Sequence, residues 1–166
     1  DATTGEELEG AKLQIIDKEG NIVEEWISAK EPHVVYGLPE GTYILHEELP
    51  PYAEGYVSAE DIEFEVKEDG SVTKVEMKDD YSKVEISKTD ITTGEELEGA
   101  KLQILNKEGE ILEEWVTDGK PHLAEKLPVG EELTLREITA PEGYEIAEDV
   151  KFTLEDTMEI QKVEMK

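Results

Sequence analysis

The stretch DATTGEELEGAKLQI at positions 1–15 returns as DITTGEELEGAKLQI at positions 90–104. Self-similarity at a fixed spacing means that one structural unit is built twice. The copies align from Asp1 with Asp90 to Lys78 with Lys166, and DDYSK (79–83) is the short junction. The reading is two domains, 1–80 and 81–166, whose length differences fall after the LP turn and after Glu47. A short junction between similar domains predicts a stiff, rod-like arrangement. Each copy is small for a hydrophobic core, and such units usually carry a staple. The chain has no cysteine, so that staple is not a disulfide. Either the fold does without one or it uses another covalent link.

Hydrophobic residues recur with period two. Leu13 and Ile15 share one face, opposite Lys12 and Gln14. Ile62, Phe64 and Val66 alternate with Glu63, Glu65 and Lys67, and Val150, Phe152 and Leu154 alternate with Lys151, Thr153 and Glu155. Strict alternation predicts strands with one buried and one wet face. No stretch keeps a helical period over three turns. DKEGN (17–21) and NKEGE (106–110) place Gly20 and Gly109 where a hairpin needs positive φ. GLPEG (37–41) and KLPVG (126–130) are Pro-Gly turns. GLPEGT is not a sorting signal, because no hydrophobic tail follows and the turn recurs in the second copy. Many short strands with regular turns predict an all-β fold of two tandem sandwiches.

The net charge is −28, from 16 basic and 44 acidic residues. A nucleic-acid binder needs a basic footprint, and docking on anionic lipid needs the same. Both classes are excluded, and no apolar run predicts membrane insertion. The charges alternate with apolar residues, so the surface is self-repelling over folded strands. His33 and His122 follow Pro at one repeated position, which predicts a turn or strand-start role. His46 lies opposite Glu47 in parity and is read as solvated. No second His or Cys stands at ligand spacing, so no metal and no cofactor is predicted. Trp26 and Trp115, in EEWI and EEWV, are read as sheet-packing residues.

Some charged residues continue apolar rows. Lys88 follows Val84 and Ile86 in parity, Glu137 follows Leu133 and Leu135, Glu47 follows Tyr43 and Leu45, and Asp79 follows Val75 and Met77. Charges on a buried face must be paired or neutralised. Burial favours the neutral amine and the protonated carboxyl. A neutral amine is a nucleophile, and a protonated carboxyl can polarise a carbonyl and shuttle protons. Lys, Glu and Asp held in one apolar pocket can therefore condense the amine and the aspartate to an amide.

These runs carry a resemblance. SKTDITTGEELEGAKLQI (87–104), the LPVG turn (127–130) and REITAPEGYEIAEDVKF (136–152) are similar to the Cna-B, or SpaA-like, domains of Gram-positive surface adhesins and pilins. The last run matches the family's E-x-x-A-P-x-G-Y signature. The resemblance implies a prealbumin-like, Ig-like sandwich with an isopeptide bond between a first-strand Lys and a last-strand Asp or Asn, assisted by a Glu. By motif position it assigns Lys88 as the reactive amine, Asp79 as the acceptor, and Glu47 and Glu137 as the assisting carboxyls. In the first copy EELPPYAEGY (47–56) departs from the signature, being longer and carrying Pro50-Pro51.

The resemblance further implies a secreted, wall-attached stalk segment that self-processes without turnover and so is not an enzyme. Its partners are the neighbouring repeats of the parent chain. In the first copy the expected lysine and first strand would precede Asp1, and in the second the expected acceptor would follow Lys166. Trimmed ends, an arbitrary boundary, or strand completion by another copy remain open as reasons. The alternative is a binding module for a host protein or glycan, which an exposed Trp26 or Trp115 would favour.

Overall fold

The computed structural model describes residues 1–166. It contains eleven strands and a single 3-10 turn, Tyr52–Glu54. Two compact units emerge: Asp1–Tyr52 with Tyr56–Asp80, and Ala53–Gly55 with Tyr81–Lys166.

The first unit holds β1 (Lys12–Asp17), β2 (Ile22–Ile27), β3 (Gly41–Leu49) and β4 (Ile62–Val66). They form one antiparallel sheet in the order β2-β1-β3-β4. The β1–β2 hairpin closes because Asp17 Oδ1 accepts the N–H groups of Glu19 and Asn21 while Gly20 takes a φ of 86°. A side chain at that φ would be strained.

The second unit holds β5 (Lys83–Lys88), β6 (Glu98–Leu105), β7 (Ile111–Asp118), β8 (His122–Glu125), β9 (Glu132–Thr139), β10 (Val150–Thr153) and β11 (Ile160–Met165). Its four-stranded sheet, β10-β9-β6-β7, repeats the sheet of the first unit strand for strand. A further sheet, β11-β5-β8, has β5 at its centre, parallel to β11 and antiparallel to β8. Val84, Ile86, Ala124 and Met165 from this sheet share one buried core with Leu102, Ile104, Leu133 and Leu135 from the other. That common core makes the unit a sandwich.

The first unit contains no counterpart of β5 among residues 1–80. The segments aligned with β8 and β11, residues 33–36 and 72–78, form no ladder. The alternation expected of SVTKVEMKD persists, with Val75 and Met77 half-buried against the core, but the strand does not form. Its physical reason is the absent central strand: backbone groups that β5 satisfies in the second unit have no partner strand here. The core is correspondingly thinner. Ile15, Tyr43 and Leu45 are its buried members, against eleven buried residues in the second unit.

Candidate functional site

The polar residues that continue the apolar rows are buried. Lys88 is 4% exposed, Glu137 3%, Glu47 4% and Asp79 5%. Register explains how the two glutamates arrive at one place. In the first unit Leu13 lies opposite both Trp26 and Glu47. In the second, Leu102 lies opposite both Trp115 and Glu137. Each sheet thus carries a Trp–Leu–Glu row, and a bulge beside the central leucine shifts the register next to the glutamate. Bulges re-aim side chains in this way beside functional sites.

In the second unit Lys88 Nζ stands 3.7 Å from Glu137 Oε1, with both side chains shielded from solvent. That oxygen has no hydrogen-bond partner, while Glu137 Oε2 accepts the Ala147 N–H at 2.6 Å. The lysine backbone is fixed on both sides. Its N–H donates to Glu96 Oε2, its carbonyl accepts from Leu97 N–H, and it pairs with Met165 of β11.

In the first unit the arrangement is complementary. Glu47 Oε2 accepts the Ala59 N–H at 2.8 Å, and the Glu47 side chain hydrogen-bonds Asp79. Burial pushes the Asp79 carboxyl up, against the opposing effect of that hydrogen bond. Two buried carboxyls in contact disfavour double ionisation. Asp79 Oδ2 is buried without a hydrogen-bond partner. Asp79 also lines a cleft of about 90 Å³ with Leu8, Ala11, Leu13 and Met77.

The structure therefore brings Lys88 to Glu137, and Asp79 to Glu47. It does not pair Lys88 with Asp79, which belong to different units. The longer EELPPYAEGY loop keeps the bond to its glutamate, because the 3-10 turn Tyr52–Glu54 takes up the extra residues before Ala59 returns to the carboxylate. One unit places a lysine beside a glutamate, and the other places two carboxyl side chains in contact, with Asp79 Oδ2 lacking a hydrogen-bond partner.

Trp26 and Trp115 pack against the cores and are stacked by His33 and His122, with ring centroids 4.3 and 4.2 Å apart. Glu24 and Glu113 hold the histidines at 3.3 and 2.9 Å. His122 begins β8, whereas residues 33–36 form no strand. His46 is not simply solvated: Nδ1 lies 2.6 Å from Asp61 Oδ1, and Nε2 lies 3.5 Å from Glu48 Oε2.

Sequence reasoning missed the alanine N–H donors and a second repeated bond. Tyr144 Oη donates to Asp90 Oδ2, and Tyr56 Oη donates to Asp1 Oδ2. The available signal was the tyrosine ending each G-Y run and the aspartate opening each repeated turn.

The family profile described as the SpaA prealbumin-like fold domain matches residues 1–81 and again 82–166. Among solved structures, the Bacillus anthracis TIE protein is 31% identical over 100% of this chain, with a TM-score of 0.59. The chain spans 33% of that protein's length. The shaft pilin SpaA of Lactobacillus rhamnosus GG is 16% identical over 95% of this chain and 87% of its own, with a TM-score of 0.42. A streptococcal ancillary pilin is 18% identical over 95% of this chain and 57% of its own, with a TM-score of 0.43. No curated protein matches the chain.

Proposed function

The chain belongs to the SpaA prealbumin-like fold domain family, with one domain in each half, and from that membership we propose that it is a load-bearing spacer segment of a secreted, wall-attached bacterial surface protein. The observation that carries this reading is the pair of half-sites, Lys88 beside Glu137 and Asp79 beside Glu47, built on equivalent strands. Superposed by register, they compose one Lys–Glu–Asp site. In a longer chain, the second unit would find its acceptor after Lys166 and the first unit its lysine on a strand before Asp1.

The step follows from these groups. Proton transfer within the buried lysine–glutamate contact would give a neutral amine and a protonated glutamate; the amine then attacks the acceptor carboxyl carbon while the glutamate polarises the carbonyl. A C–N bond forms, the C–O bond breaks, and water leaves with a proton relayed through the glutamate. Residues 2.6–2.8 Å away hold that glutamate by a backbone N–H in both units. The reaction runs once, without turnover. By analogy with a disulfide, closing a loop of this length stabilises by about 4–5 kcal/mol.

The bond would join the first and last strands, so force applied at the ends would bypass the sandwich. Single-molecule pulling on a chain extended at both ends tests this. Bonded units give no unfolding step, whereas Glu47→Ala and Glu137→Ala each release a length on the order of 250–300 Å. Unfolding steps of that length in the parent chain would contradict the reading.

The same geometry supports a partner for the first unit. Residues 33–36 and 72–78 flank the position that β5 occupies in the second unit, with Val35, Val75 and Met77 already packed on the core. A strand of the Val84-x-Ile86-x-Lys88 type, from a neighbouring repeat or another copy, would complete it by strand addition. No observation favours the binding-module alternative, because each Trp packs on its core and is capped by a histidine.

A further inference from the structure

The signature run ends on a tyrosine that the condensation does not use. Tyr144 Oη donates to Asp90 Oδ2 at 2.7 Å, and Tyr56 Oη donates to Asp1 Oδ2 at 2.8 Å. The other oxygen of each aspartate is committed to its own turn. Asp90 Oδ1 accepts the N–H groups of Thr92 and Thr93, and Asp1 Oδ1 accepts those of Thr3 and Thr4. The aspartate is thus an anchored acceptor, and the tyrosine hydroxyl ties a second segment to it.

That second segment carries the glutamate's donor. Tyr144 precedes Ala147 by the same spacing that separates Tyr56 from Ala59, and each alanine N–H holds its unit's glutamate. On the other side, Asp90 lies just beyond Lys88, whose backbone is pinned by Glu96 and Leu97. A continuous ring results: Lys88, Asp90, Tyr144, Ala147, Glu137 and back to Lys88.

Two differences between the units separate this bond from ordinary packing. The stretch from glutamate to tyrosine is longer in the first unit, yet both hydrogen bonds are kept. Tyr56 is 3% exposed while Tyr144 is 45% exposed, so burial is not the common factor. What the units share is the connection from the D-x-T-T-G turn to the glutamate's donor.

We propose that Tyr144 with Asp90, and Tyr56 with Asp1, are positioning residues that set the loop N–H on the assisting glutamate and thereby aim its second oxygen at the amine. This rests on the condensation proposed above. The prediction is a rate effect separable from stability. In a chain extended by one aspartate after Lys166, Tyr144→Phe slows the loss of water at least about tenfold, a barrier change of roughly 1.4 kcal/mol. Thermal stability of the unit stays within a few degrees. Asp90→Asn, which keeps a polar partner for the tyrosine, retains a rate closer to the parent. In the 166-residue chain, Tyr144→Phe raises the hydrogen-exchange rate of the Ala147 amide by about the same factor, with the Leu102 and Leu133 amides unchanged. A parent-like rate together with unchanged Ala147 exchange overturns the proposal. If neither the extended parent nor the variant loses mass, the condensation itself fails. Ala147 exchange then decides the clasp alone: faster exchange supports it, and unchanged exchange overturns it.

Discussion

At the scale of single residues, burial decides what each charge does. Lys88 and Glu137 sit in a unit whose core is closed around them, so their contact is shielded from water. Removing one member leaves the other buried and uncompensated, which typically costs about 3–5 kcal/mol. Lys88→Met, which fills the same volume without charge, is expected to destabilise less than Lys88→Ala in urea unfolding. On the surface, the hydrogen bond to Asp61 raises His46 above its ordinary 6.5 against the opposing effect of burial, with Glu48 adding a lesser push. A base whose pKa is raised on folding adds stability that is full below 6.5 and is lost as pH rises through the folded value. An NMR titration should place the His46 midpoint above 6.5, and Asp61→Asn should bring it back down. Parity alone pointed to Lys88, Glu137, Glu47 and Asp79 as inward-facing, because a period of two leaves no freedom about which face a residue joins. It could not reveal the Ala59 and Ala147 donors, since a backbone N–H has no sequence identity. Nor could it reveal that His46 meets Asp61, which comes from a different strand region.

At the scale of elements, the four-stranded sheet was legible from alternation and turn chemistry, and both copies realise it in the same order. The segment 72–78 was legible as an alternating row but not as a segment without a ladder. Alternation reports which side chains face the core, whereas a ladder needs a neighbour. Residues 72–78 keep the first property and lack the second. Amide exchange is therefore expected to be fast across 74–78 and slow across β11, whose backbone pairs with β5. Adding a peptide with the sequence of residues 81–89 should slow exchange in 74–78. Unchanged rates there would argue against strand addition to this unit. Core truncations should follow the same contrast. Leu102 is fully buried and its counterpart Leu13 is half-buried. Leu102→Ala should cost in the range of about 2–5 kcal/mol, and Leu13→Ala less.

At the scale of the whole molecule, the two repeats carry unequal cores, because β5 and its ladders belong to the second unit. Eleven buried core residues in the second unit face three in the first. Because burial of apolar surface is the main favourable contribution to folding, calorimetry should resolve two transitions. The lower one belongs to the first unit, and Ile15→Ala should move it alone. The repeat made the two-domain plan evident at once, since a duplicated stretch needs duplicated surroundings. The division of the proposed site was legible as well, because motif position alone put the first copy's lysine before Asp1 and the second copy's acceptor after Lys166. The central proposal is that each half-site belongs to a Lys–Glu–Asp site of its own unit, and intact mass tests it most directly. A chain extended to supply the strand before Asp1 and an aspartate after Lys166 should lose about 18 Da per unit, the mass of one water expelled at each acceptor. Glu47→Ala and Glu137→Ala should each restore one loss. An extended chain that keeps its full mass would contradict the account and leave two plain sandwich spacers.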